Sequence, residues 1–247
     1  MNPSPERASE HAIVIGAGMA GLLAARVLRD HFQRVTVLDR DHLPDGAEPR
    51  AGAPQGHHVH VLITRGWQIL DALLPGLAAD LDAAGATPLD WIDHVAFHTP
   101  FGLAPRFASE LRSRATSRPL LERHVRARVL ADPRVRLWGG LDVTGLRAEG
   151  DPARVVGVHV QRRGAGGPPP PDDELRADLV VDASGRGSKL AAWLTALGRP
   201  APAETVVDGK LGYATRIYTR ATGAPWKALY VMGRAPDQPR SGVIYPI

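Results

Sequence analysis

Apolar residues in this chain gather into short runs whose spacing switches between that of a strand and that of a helix. Ala12-Ile13-Val14-Ile15 is unbroken and reads as a buried parallel strand. Gly16-Ala17-Gly18-Met19-Ala20-Gly21 follows at once. An Ala/Leu-rich stretch then predicts a helix to about Asp30, and a second apolar run, Val35–Leu38, ends in Asp39. Positions 62, 63, 66/67, 69, 70, 73 and 74 recur at helical spacing and predict a helix over 61–74, closed by Pro75-Gly76. A shorter helix is expected from Leu77 to Ala84, stopped by Gly85.

Between 86 and 110 the pattern changes to short β-like runs around Leu89, Trp91, Val95, Phe97, Phe101 and Phe107, broken by Pro100, Gly102 and Pro105. These aromatic residues suit either the wall of a site for an apolar ligand or the core of a sheet. Ser117 is a candidate N-cap, with Pro119 close behind it, for a helix running to about Ala131. Strands are expected at Val135–Trp138, Leu141–Leu146 and Val155–Gln161, the last two joined by a turn at Gly150-Asp151-Pro152. Gly164–Asp173 cannot pack a core and reads as a surface loop. After it, Ala177–Asp182 predicts a strand running into the Ser184-Gly185 turn, then a helix from Ser188 to Leu197 stopped by Gly198-Arg199-Pro200. Alternation in Leu211–Arg220, Ala228–Met232 and Gly242–Tyr245 predicts an antiparallel sheet.

The strand–turn–helix–strand context around Gly16, Gly18 and Gly21 makes their G-x-G-x-x-G spacing a dinucleotide-binding signal. Gly16 suits the tight turn, Gly18 the approach of backbone to a pyrophosphate, and Gly21 close helix–strand packing. A helix N-terminus at this point aims N–H groups and a positive dipole end at phosphates. Asp39, 18 residues after Gly21, stands where a carboxylate can accept hydrogen bonds from ribose hydroxyls.

Composition narrows the partners. Lys+Arg number 30 against 26 Asp+Glu, but only Lys189, Lys210 and Lys227 are lysines, and the arginines are scattered among acids. No basic run is interleaved with aromatics, so nucleic acid is not an expected partner. With no cysteine, disulfides and thiolate metal sites are impossible. His57, His58 and His60 lack a further ligand at a telling spacing, so no metal site is expected. The polar start, MNPSPERASEH, has no signal-peptide pattern, and the apolar stretch at 12–28 reads as strand plus helix, not as a membrane span. A cytoplasmic protein is the expectation.

Four stretches, GAGMAGLLAA with Asp39 downstream, RAGAPQGHHVH, SRPLLERHVR and DLVVDASGRGSKL, together resemble the FAD-dependent monooxygenases of the aromatic-hydroxylase (PHBH-like) superfamily. The likeness is strongest to epoxidases of polyketide and polyene chains, themselves related to squalene epoxidase. It implies that the loop residues Gly16, Ala17, Gly18, Met19, Ala20 and Gly21 hold the ADP half of FAD, with Asp39, and Arg40 beside it, at the adenosine ribose. It places Arg118 near the FAD phosphates or ribityl chain, Arg50 and Pro54-Gln55 beside the ribityl–isoalloxazine portion, and the backbone near Val143 at the adenine edge. Where the family reads Asp-Gly in its second nucleotide motif this chain has Ser184-Gly185, with Asp182 two residues earlier, so either oxygen side chain could receive the cofactor's hydroxyls.

The resemblance also implies an activity. NAD(P)H would reduce the flavin, oxygen would add as a C4a-hydroperoxide, and its distal oxygen would pass to an apolar organic substrate, with the electrons delivered directly or by a partner flavin reductase. No catalytic side chain is assigned. The family's third motif, a Gly-Asp onto a proline- and glycine-rich turn, has no counterpart after residue 200, which leads to the expectation of a C-terminally truncated chain or a missing polypeptide. Other readings are an inactive FAD- or ADP-binding remnant and a reductase of the geranylgeranyl-reductase type. The expected fold is α/β: a Rossmann-like, three-layer FAD-binding domain with a parallel sheet (11–85 and 115–198), interleaved with a partial antiparallel substrate sheet (86–114 and 199–247). An unpaired edge on that sheet predicts self-association.

Overall fold

The computed structural model describes residues 10–164, 173–219 and 223–247. The first nine residues and most of the Gly164–Asp173 loop lie outside them. In chain order the elements are β1 (His11–Ile15), α1 (Met19–Leu28), β2 (Arg34–Leu38), α2 (Thr64–Leu73), α3 (Leu77–Ala83), β3 (Thr87–Asp90), β4 (Val95–Thr99), β5 (Gly102–Leu103) and β6 (Arg112–Ala115). They continue with α4 (Arg118–Leu130), β7 (Val135–Trp138), β8 (Leu141–Glu149), β9 (Arg154–Arg162), β10 (Glu174–Arg176), β11 (Leu179–Asp182), α5 (Leu190–Ala196), β12 (Ala228–Val231) and β13 (Gly242–Ile244).

The chain divides into two compact units. The first takes in residues up to Ala53 and then Val125–Gly212; the second takes in Pro54–His124 and Tyr213–Ile247. The cuts between these units fall at 53/54, 124/125 and 212/213. The helices α2 and α3 belong with β3–β6, to which α2 is joined through the Ser113 hydroxyl, which donates to the Leu62 carbonyl just before the helix. The Arg114 guanidinium, on β6, lies over the Trp67 ring at 4.6 Å and pairs with Asp82 at 2.6 Å.

In the first unit a four-stranded parallel sheet runs in the order β11-β1-β2-β7. The strands are largely apolar on both faces because both are covered, with His11 and Thr36 as buried polar exceptions. On one side α1 buries Gly21, Leu22 and Ala25 against Val14 and its neighbours. On the other the antiparallel meander β8-β9-β10 packs Leu141, Val158, Val160 and Leu175 onto Ile13, Ile15 and Leu38. Each fully buried aliphatic side chain of this kind contributes about 1.5–3 kcal/mol. A register shift between Val143 and Gly145 lets the long hairpin bend over the sheet.

The second unit holds the sheet β13-β12-β4-β5 and the pair β3-β6. Its sheet is mixed, not antiparallel throughout: β12 pairs with β4 in parallel, Ala228 opposite Val95, and with β13 in antiparallel. The described part of Leu211–Arg220, read from its alternation as a strand, is not one; its side chains are exposed and it makes no ladder. Alternation alone produces a strand only where a neighbouring strand and a covered face are present. Arg220, the end of that expected strand, lies outside the described residues.

Candidate functional site

The parallel strands end together, and the loops after them form the candidate site. Gly16 donates its N–H to the Leu38 carbonyl at 2.7 Å, and Ala183 donates to Ile15 at 2.8 Å, so the ends of β1, β2 and β11 are tied to one another. At Gly16 φ is +98°, and a Cβ there would sit 2.6 Å from the Ala183 carbonyl oxygen. A Cβ on Gly21 would run into the Gly16 carbonyl oxygen, so the loop can lie flat on the first turn of α1 only with glycine there. Gly18 differs: it is the N-cap of α1, with φ −74°, and a Cβ would meet nothing within 4 Å. The open space lies where a helix N-terminus offers unpaired N–H groups.

Asp39 faces this loop from the end of β2 and is 5% exposed. One carboxylate oxygen accepts the Ala17 N–H at 2.7 Å and the other accepts the Asp41 N–H at 2.8 Å. Arg50 reaches back to Asp39 at 3.3 Å and to Asp41 at 3.0 Å, and Asp41 also accepts the Gly52 N–H at 2.6 Å. Two carboxylates against one guanidinium leave this corner net negative, which suits hydroxyl donors, while the helix N-terminus suits an anion. Asp41 escaped the sequence reading; its only signal was an acid two residues beyond Asp39 in an Asp-Arg-Asp triplet. Arg40, between the two acids, is exposed.

On the other side of Gly16, Asp182 is taken up by its own turn. It accepts from the Ser184 N–H at 2.9 Å and the Ser184 hydroxyl at 2.6 Å, and from the Ser188 hydroxyl at 2.6 Å. Gly185 is exposed, with φ +80° and open space around it. Met19 and Ala20 open α1 beside Gly18. Val143 is set apart from this group: it pairs with Val160 in the meander and packs against the core cluster.

The remaining expected residues belong to the second unit. Gln55 is exposed on a 3-10 turn, Pro54–His57. Arg118 opens α4 after the Ser117 cap, whose hydroxyl accepts the Leu120 N–H at 3.2 Å, and its guanidinium lies 3.6 Å from Glu122. The half-buried His60 imidazole is pushed down to about 4 by burial and by the Arg118 charge. His58 contacts the Thr215 hydroxyl at 3.1 Å. Among the described residues no group of three or more side chains could hold a metal ion.

The aromatic stretch splits. Phe101 and Phe107 are exposed, whereas Phe97 stacks on Tyr230 at 5.2 Å and Trp91 lies 6.2 Å from Tyr230 and 6.4 Å from Tyr245. Among the described residues the Trp91 indole N–H and the Tyr245 hydroxyl are buried and have no hydrogen-bond partner. Burial pushes the Tyr245 phenol up, so it stays protonated and a donor.

Residues 14–69 match the NAD(P)-binding Rossmann-like domain. Protein Rv3254 of Mycobacterium tuberculosis is 41% identical over 233 residues, which cover 93% of this chain and 49% of the relative; the chain spans about half that protein's length. Among solved structures, Pseudomonas aeruginosa PqsL in complex with 2-aminobenzoylacetate aligns over 85% of this chain and 48% of its own, at 17% identity and a TM-score of 0.55. A flavoprotein/dehydrogenase of Cytophaga hutchinsonii aligns over 75% and 42%, at 19% identity and 0.53. The myxobacterial chondrochloren halogenase CndH, an FAD-dependent halogenase, aligns over 73% and 38%, at 22% identity and 0.51. In fold, the chain is α/β with a Rossmann-like unit on a parallel sheet, the architecture it has in common with these proteins.

Proposed function

We propose that this chain binds FAD and belongs to an FAD-dependent monooxygenase of the hydroxylase or epoxidase type, with NAD(P)H as the electron source and an apolar organic molecule as substrate. The observation that carries this reading is the glycine loop: two glycines that packing requires flank a third, Gly18, that packing does not. A glycine with empty space in front of a helix N-terminus fits the close approach of a pyrophosphate.

In this reading the N-terminus of α1 binds the phosphates. Asp39 accepts from the adenosine ribose, its carboxylate held in place by the Ala17 and Asp41 N–H groups and by Arg50. Reduced flavin supplies the oxygen-activating chemistry when bound. The chain's own contribution on the substrate side would be the apolar surface around Phe97 and Tyr230, with the Trp91 N–H and the Tyr245 O–H as unused donors for a polar atom of the substrate. The match to CndH, an FAD-dependent halogenase, supports the FAD-dependent reading. The match to a flavoprotein/dehydrogenase supports a second one, a flavin-dependent reductase. Among the described residues no helix is long and apolar enough to cross a membrane, and a cytoplasmic setting is part of the proposal.

Oxygen-electrode and absorbance measurements on the FAD-loaded chain separate the readings. A monooxygenase oxidises NAD(P)H with matching uptake of oxygen that rises when an apolar alkene or aromatic substrate is added. NAD(P)H oxidation that proceeds equally without oxygen, given an alkene acceptor, would overturn it in favour of a reductase.

A further inference from the structure

We propose that the first unit carries a second ligand site, for a small phosphate monoester borne on a planar ring, at the edge of the parallel sheet opposite the glycine loop. The strand pattern locates it. On the face of the sheet beneath the meander, alternate residues read Ile15, Ile13, His11 along β1, Leu38, Thr36, Arg34 along β2, and Trp138, Arg136 along β7. A face covered by another layer is apolar for its whole length when packing is its only role. Here it is apolar toward the glycine loop and turns to His, Thr and Arg at the other end. In register His11 stands beside Arg34, and Thr36 beside Arg136. A cleft of about 710 Å³ opens there, with Trp138 and the acidic Asp173 also in its lining.

The polar groups of this cleft are built in. His11 is 7% exposed and Thr36 is 1% exposed. The Arg176 carbonyl, 2.7 Å from His11 Nδ1, can only accept, so Nδ1 carries the proton and Nε2 accepts from the Thr36 hydroxyl at 2.8 Å. The Arg34 guanidinium lies 3.1 Å from the same Nδ1, a cation set against a donor. The arginines contributed by the meander are neutralised: Arg147 pairs with Glu174 at 2.7 Å and Arg176 with Glu149 at 2.6 Å. Arg34 and Arg136 are not. Among the described residues neither has a carboxylate partner, and the two sit on adjacent strands, two residues apart in register. That places their backbones about 4.8 Å apart across the sheet and about 6.6 Å along it, so both planar forks can reach one tetrahedral oxyanion. The wall formed by Trp138 then accepts a flat ring attached to that oxyanion.

Isothermal titration of phenyl phosphate into the protein, with excess FAD present and ionic strength held constant with chloride, tests this. The site predicts saturable one-to-one binding. Arg34→Gln combined with Arg136→Gln should weaken it at least tenfold while leaving the melting temperature and flavin retention unchanged. Both arginines are exposed, so the double variant is expected to fold. A readout free of any variant is the imidazole resonance of His11, which should shift on addition of phenyl phosphate and not of phenol. Absence of saturable binding, equal affinity in the double variant, or loss of binding in Gly18→Val, which would place the ligand at the glycine loop, would each overturn the proposal.

Discussion

His60 shows how a single side chain records its surroundings in a measurable way. Its imidazole is held neutral in the folded chain, down to about 4, by burial first and by the Arg118 charge second, against 6.5 when free. A base whose pKa falls on folding is protonated first in the unfolded chain. Its contribution to stability is therefore complete above about pH 6.5, is lost progressively as pH falls, and levels off near pH 4. Allowing for solvent screening, the loss is about 1–2 kcal/mol. His11, lowered by burial and by Arg34, acts in the same direction. Urea midpoints from pH 4 to 7 should decline toward acid in the wild type and less steeply in His60→Gln; parallel curves would show that His60 does not titrate differently on folding. At this scale the sequence was legible where chemistry is local. The glycine roles follow from spacing, and the geometry of Gly16 and Gly21 has the steric form that the spacing implies. The Arg50 bridge to Asp39 and Asp41 was not legible, because it depends on how an irregular loop folds back onto the end of β2.

Elements were legible in proportion to how much of their pattern is self-contained. Val135–Trp138 and Leu77–Ala83 fall where their apolar runs and stop signals put them, and α4 begins directly after its Ser117 cap. The described part of Leu211–Arg220 alternates as a strand should and yet is not one, because period-2 alternation states which face would be buried without supplying a partner to bury it. Likewise, nothing local told that β12 would join β4 in parallel, a pairing across more than a hundred residues. The stretch 199–219 has exposed side chains and no ladder hydrogen bonds, so its backbone is the most accessible to a protease. Brief trypsin treatment followed by mass spectrometry should find the earliest cuts after Lys210 and Arg216. Earliest cuts after Arg34 or Arg136, inside the parallel sheet, would contradict the fold.

Over the whole molecule, the physical claim is a division of labour within the first unit. The parallel sheet is covered on both faces and is apolar toward the glycine loop, and its strand ends hold loops whose glycines are there for two different reasons. Gly21 is required by packing, since a Cβ would meet the Gly16 carbonyl oxygen; Gly18 is not required by any contact among the described residues. That contrast makes the central claim testable in one measurement, the visible spectrum of the purified chain after incubation with excess FAD and dialysis. The wild type should retain flavin absorbance at close to one equivalent. Gly18→Val, placed where the chain leaves room for a side chain, should melt at the same temperature and lose the flavin. A wild type that emerges colourless, or a folded Gly18→Val that keeps its flavin, would contradict the assignment of this loop to a dinucleotide.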